Sequence, residues 1–182
     1  MKFEERNFIL RDGRECVLRP TAAEYAEEMI AFLKQTAAET PFLLSDPDEV
    51  NFTPEGEREF LNRYAEDEAS AMLRALVDGK VAGNSSFSPV GSKRRVAHRC
   101  SMGIALRQEY WGLGIGTAMI GYLTELAKRA GYEQIELEVV DGNDRAKALY
   151  EKCGFVATGK RRNAMKYDDG TYRDEWLMMK RL

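Results

Sequence analysis

Apolar residues recur along this chain with two periods, one helical and one strand-like, and the changes between them divide it into elements. Glu15–Arg19 reads as a short extended segment stopped by Pro20. Thr21 is then a good N-cap, and Glu24, three residues on, completes a capping box. A helix is expected through about Ala37, with Tyr25, Met29, Ile30 and Leu33 on its buried stripe. From Glu39 to Asn51 the spacing breaks down around Pro41 and Pro47, which predicts a loop. Thr53-Pro54-Glu55 opens a second helix, since proline in the first turn lacks only an N–H that would be unpaired anyway. This helix carries Phe60, Leu61 and Tyr64 and ends near Asp67.

The pattern then turns to strands. Ala71–Val77 and Lys80–Phe87 flank Asp78-Gly79, the strongest two-residue hairpin signal in the chain. Pro89–Arg95 is a hairpin tip or longer loop, and Val96–Leu106 a further strand. Helical spacing returns over Thr117–Ala130 and stops at Gly131. Gln134–Val140 is a β-branched strand, Asp144–Cys153 a short helix and Phe155–Arg161 a strand. Met165–Gly170 is a polar connection to the last strand, Tyr172–Lys180. With no repeat, low-complexity tract or linker, residues 1–182 read as one domain. An antiparallel meander leading into a strand–helix–strand–helix unit predicts an α/β (α+β) fold with a mixed sheet, because a β-α-β crossover makes its strands parallel.

Bulk properties narrow the function. At 182 residues, 44% hydrophobic and 31% charged, the chain has the make-up of an ordinary globular domain. A net charge of −3 gives no electrostatic support for coating nucleic acid. Cys16, Cys100 and Cys153 form no CxxC pair and are odd in number, which argues against a disulfide framework or a zinc site. His98 is the sole imidazole, so no metal is expected. The first residues carry early acids and no apolar signal core, and no apolar run approaches a membrane span. A cytoplasmic protein with no membrane or nucleic-acid partner is the expectation.

Two segments carry chemistry. Residues 111–117, Trp-Gly-Leu-Gly-Ile-Gly-Thr, place three alternating glycines just before the helix Thr117–Ala130. Without a Cβ, successive N–H groups can turn toward one anion, and a helix start adds unpaired N–H groups and a positive dipole end. The composite reads as a pyrophosphate cradle. Asn143 follows a strand and can cap the next helix while projecting its amide into the adjoining cleft. Tyr150 lies seven residues on, two helical turns, and so on roughly the same face. Gly154 is placed as a C′ residue with Phe155 as the apolar contact after it. A cap, an amphipathic helix and a glycine stop account structurally for the same residues.

In register, Gly112-Leu113-Gly114-Ile115-Gly116 and Asn143-x-x-Ala146-x-x-Leu149-Tyr150-x-x-x-Gly154-Phe155 resemble the GNAT acyltransferase superfamily, most nearly its small bacterial members that acetylate amino acids or ribosomal-protein N-termini (the RimJ/RimL-like branch). The likeness runs from about Glu15 to the end and includes Asp169-Gly170-x-Tyr172-x-Asp174-Glu175-x-x-x-Met179. It implies a central mixed, mostly antiparallel sheet with helices on both faces and a splayed parallel strand pair at the cofactor. It also implies acetyl-CoA as acyl donor, its pyrophosphate on the N–H groups of Gly112, Leu113, Gly114, Ile115, Gly116 and Thr117. The pantetheine arm would pair with backbone near Ile104 and Leu106, with an N–H at Ile104 or Ala105 polarising the thioester. Asn143 would bond the arm, and Tyr150 would protonate the leaving thiolate. Trp111 stands where members often carry Gln or Arg, and is expected beside the cofactor.

The base is less defined. Glu138 matches a position that some protein N-terminal acetyltransferases of the superfamily use, while a solvated acidic face shared with Glu136 explains it equally well. Many relatives carry Glu near Ser101, so a water relay through Ser101 or Glu138 is needed; His98 is expected to be exposed. The resemblance places the acceptor among the first two helices, their loop and the last hairpin. Ten acids there, from Glu39 to Glu68, form either a rim that attracts a cationic amine or a solvated face. Phe42, Leu43, Leu44 and Phe52 form either an apolar wall or a homodimer contact. An N-acetyltransferase acting on a small-molecule or peptide N-terminal amine is the leading expectation. A non-catalytic acyl-CoA-binding module is the alternative.

Overall fold

Turn chemistry sets up the first half of the sheet. Asp78 and Gly79 both adopt positive φ, 50° and 75°, which suits the right-handed twist of a two-residue hairpin. They join β3 (Ala71–Val77) to β4 (Lys80–Pro89) antiparallel. The computed structural model describes residues 1–182. It adds β1 (Arg6–Ile9), β2 (Glu15–Pro20), β5 (Arg99–Leu106), β6 (Gln134–Val140), β7 (Val156–Lys166) and β8 (Tyr172–Arg181). All eight strands form one sheet in the order β1-β2-β3-β4-β5-β6-β8-β7, and only the β5–β6 pair is parallel. The mixed, mostly antiparallel sheet of the sequence reading is therefore present.

Alternation along the strands sends side chains to two cores. Leu73, Ala75 and Val77 of β3 and Ile135, Leu137 and Val139 of β6 share the larger core with α3 (Ile115–Arg129) and Tyr150 of α4 (Asp144–Lys152). Met72 and Val81 face the other way, onto Met29 and Phe32 of α1 (Ala26–Glu39) and Leu61 of α2 (Pro54–Glu66). Helices thus cover both faces. No helix is long and apolar enough to cross a membrane.

Local readings hold at α2, where the Thr53 hydroxyl accepts from the Gly56 N–H at 3.1 Å, and fail at α1. The Thr21 N–H donates to Met72 of β3, its side chain is buried, and no capping box forms. A 3-10 turn at Ala23–Tyr25 precedes the helix instead, and the buried stripe is Ala26, Met29, Phe32 and Thr36. Tyr25, Ile30 and Leu33 are half-buried. Strand β5 begins at Arg99 rather than Val96, because Val96 and Arg99 close successive turns. Strand β7 continues past Arg161 through a bulge at Asn163, whose φ of 51° asparagine tolerates and whose N–H donates to Asp174.

Candidate active site

A fork in the sheet makes the site. Strands β5 and β6 pair only from Arg99↔Gln134 to Ser101↔Glu136. Beyond that point β5 stays with β4 as far as Leu106↔Gly83, and β6 stays with β8 as far as Val140↔Glu175. Each strand is held by its outer neighbour, so the inner edges part and a cleft of about 1050 Å³ opens between them.

Hydrogen-bond alternation says which groups face it. Arg99 accepts from Val90 and Arg107 donates to Ala82, so the odd-numbered residues of β5 point their backbone at β4. Ile104 and Leu106 therefore present N–H and C=O to the gap. Ala105 lines the cleft, but its amide faces β4. The Leu106 carbonyl is already taken by the Trp111 indole N–H at 2.9 Å, which leaves Ile104 as the free edge residue in the middle of the fork.

The glycine turn closes one end. Gly112 and Gly114 have φ of 80° and 99°, a region closed to most side chains, and Gly114 is the N-cap of α3. Unlike the caps of α2 and α4, it has no side chain to spend on the helix, so the first N–H groups of α3 stay unpaired. Helix α3 starts at Ile115, two residues before the periodicity suggests. Gly116 serves packing rather than backbone freedom: a Cβ there would stand 2.8 Å from Leu149 Cδ2. Trp111, Gly112, Gly114, Ile115, Gly116 and Thr117 line the cleft, whereas the Leu113 side chain packs on the larger core.

Helix α4 supplies the far wall. The Asn143 Oδ1 caps it by accepting from Ala146 N–H at 3.2 Å, so what Asn143 offers the cleft is its Nδ2 donor. Tyr150 is 8% exposed, lines the cleft and packs edge-on against Phe155 at 5.9 Å. Burial, with a smaller contribution from the Cys153 thiol, pushes its phenol up to about 12.

The opposite end is mixed in polarity. Glu138 points to the α1/α2 face of β6, where Arg161 bridges it at 3.1 Å and Glu175 at 2.8 Å. Phe42, Leu43 and Leu44 line this end, Leu44 with most of its surface exposed, while Phe52 stays outside and exposed. Tyr167 ties the last hairpin to this loop by donating to the Pro41 carbonyl at 2.8 Å, and the Arg173 guanidinium lies 5.5 Å from the Phe42 ring. Asn84 of β4 also lines the cleft, and its Oδ1 is buried without a partner.

Several expected residues lie elsewhere. Ser101 sits in the closed part of the β5–β6 pair and does not reach the cleft; Met102 does. None of the ten acids between Glu39 and Glu68 lines it. Glu39 is engaged by the backbone N–H of Gln108 at 2.7 Å, and Glu57 is buried. His98 is half-buried at the mouth of β6, where its carbonyl accepts from Glu133 and Gln134. Sequence patterning missed Arg11, Asn84, Arg145, Arg161 and Glu175, all of which line the cleft. Arg145, two residues after Asn143 in the second motif, and Glu175, in the C-terminal motif, were within reach of local pattern.

Comparison with known proteins agrees with this geometry. An acetyltransferase of the GNAT family from Streptococcus pneumoniae superposes with a TM-score of 0.87 at 30% identity, over 92% of this chain and 99% of that one. YncA from Salmonella typhimurium, solved with its cofactor acetyl-CoA, superposes with a TM-score of 0.80 at 15% identity over 92% of this chain and 94% of that one. Among curated proteins, the uncharacterised N-acetyltransferase YobR of Bacillus subtilis is 44% identical over 52 residues, which span 29% of this chain and 21% of that protein. The profile of the acetyltransferase (GNAT) family matches residues 38–155, from the end of α1 through the glycine turn and α4 to Phe155. A forked parallel pair, a glycine turn at the start of α3 and an Asn-to-Tyr helix beside it are thus set in a matching sequence, and the chain belongs to the GNAT acetyltransferase family.

Proposed function

We propose that this chain is an acetyl-CoA-dependent N-acetyltransferase that moves the acetyl group directly to a primary amine. The observation that carries the reading is the fork. An anion cradle, a free strand edge at Ile104 and a buried phenol line one continuous cleft. The residues fit a long thioester: unpaired amides for a diphosphate, an open strand edge for an amide-bearing arm, and a buried phenol for the sulfur end. Bound acetyl-CoA supplies an activated acyl group.

The chain's own groups then divide the work. The Ile104 N–H, aimed into the gap, stabilises negative charge that builds on the carbonyl oxygen. As the C–N bond forms and the C–S bond breaks, Tyr150 gives its proton to the departing sulfur. Burial pushes the phenol up, so it still carries its proton at neutral pH and has one to give. At the other end, Glu138 receives the proton that an arriving ammonium must lose, through water, while Arg161 fixes its position. The two roles sit on opposite faces of the sheet and meet only where the strands part.

The test is a panel of amines at fixed acetyl-CoA, scored by release of free CoA thiol. Turnover with at least one primary amine is expected. Tight binding of acetyl-CoA with no thiol release on any amine would overturn the reading in favour of a binding module.

A further inference from the structure

We propose that Arg11 and Arg145 clamp the phosphates of a CoA-type cofactor from two sides of the glycine turn. The inference rests on the coenzyme A reading of the cleft. Both side chains are exposed, line the cleft, and enter no ion pair. They reach the turn from opposite ends of the chain.

Arg11 lies in the turn between β1 and β2. Its backbone N–H donates to Leu113 O at 3.4 Å and its Nη1 to Gly112 O at 3.2 Å. Arg14, from the same turn, places its guanidinium 5.5 Å from the Tyr110 ring and so seats the hairpin against the glycine segment. Arg145 comes from the first turn of α4. Its guanidinium lies over Trp111, 4.4 Å from the ring centroid, and its Nη2 is 3.7 Å from where a Cβ on Gly112 would be. Two guanidinium groups therefore approach Gly112 from separate elements.

Charge balance explains why they matter. Backbone N–H groups offer hydrogen bonds but no net charge, and Trp111 brings none to the turn. The chain carries −3 overall, and Asp144 lines the same end of the cleft. A ligand with a diphosphate and a further phosphate needs fixed cations there, and guanidinium forks match phosphate oxygens in geometry as well as sign.

The experiment measures binding of free CoA and of dephospho-CoA, at several salt concentrations, to the wild type and to Arg11→Gln, Arg145→Ala and the double variant. Each single variant is expected to weaken CoA binding about 10-fold or more, with a shallower dependence on salt. Equal loss for both ligands assigns the clamp to the diphosphate; loss for CoA alone assigns it to the ribose phosphate. Arg11→Gln removes the charge, while the backbone N–H at position 11 keeps its bond to Leu113. Wild-type affinity and salt slope in that variant would reduce Arg11 to a structural strut and overturn the clamp, as would unchanged binding in Arg145→Ala. A wild type that binds neither ligand would instead refute the coenzyme A reading itself.

Discussion

Tyr150 and Glu138 are assigned opposite proton transfers, and single substitutions separate them. Tyr150→Phe removes one oxygen from a side chain whose ring packing on Phe155 is retained. It should lower kcat roughly 100-fold while leaving the acetyl-CoA KM within about twofold. An unchanged kcat would take the phenol out of the mechanism. Because Tyr150 is pushed up to about 12, it stays a proton donor throughout pH 6–10, and no alkaline loss of activity in that window belongs to it. Glu138→Gln should also lower kcat, but with a different signature. Its deficit should shrink as pH rises, since the acceptor amine then arrives already neutral and needs no base. A deficit constant with pH would make Glu138 a partner of Arg161 and nothing more.

At the scale of elements, the loop between α1 and α2 is held by the last hairpin. Tyr167, in the turn after β7, bonds Pro41, and Arg173 of β8 covers Phe42. Tyr167→Phe should free the 40–53 loop, giving faster cleavage by a protease in that loop and a raised KM for the amine but not for acetyl-CoA. Equal cleavage rates would show that the clasp does not hold it. What could be read in the sequence follows the same scale. The glycine turn, the Asn143 cap and the Tyr150 face are local patterns, set by spacing within one element, and they were legible. The β3–β4 hairpin was legible for the same reason, from two turn residues. The place of Ser101 was not legible, because cleft membership depends on where β5 and β6 part, a register between strands some 35 residues distant; the acidic loop stayed open between a rim and a solvated face for the same reason. Arg11 was invisible for a stronger reason. It reaches the cradle through contacts about 100 residues away, and β1 and its turn carry no periodic signal.

Over the whole molecule, the buried titratable groups define how stability responds to pH. Cys16 and Cys100 are wholly buried and move from 9.0 to about 12, and Tyr150 from 10.0 to about 12. Tyr110 and Tyr132 are raised in the same direction, also chiefly by burial. In each case the folded state holds its proton more tightly than the unfolded chain. The stabilisation is thus complete below about pH 9, where both states are protonated, and is lost as pH climbs toward 12. Between its unfolded and folded values each group costs at most ~1.4 kcal/mol per pH unit, so several together outweigh any single exposed ion pair. The acid side behaves oppositely. Glu136, held down chiefly by its Arg99 partner, and Asp67, held down chiefly by the Ser70 hydroxyl, contribute stability that disappears as pH falls through the carboxylate range. Glu57, raised by burial, works against them there. Urea midpoints taken from pH 4 to 11 should therefore show a plateau from about pH 5 to 9 and then a steep fall. A Cys16→Ala, Cys100→Ala double variant should flatten that fall, because two of the groups that release protons only on unfolding are gone. If the alkaline slope is the same in the double variant and the wild type, the two thiols do not titrate on unfolding, and their burial does not set the upper pH limit of the fold.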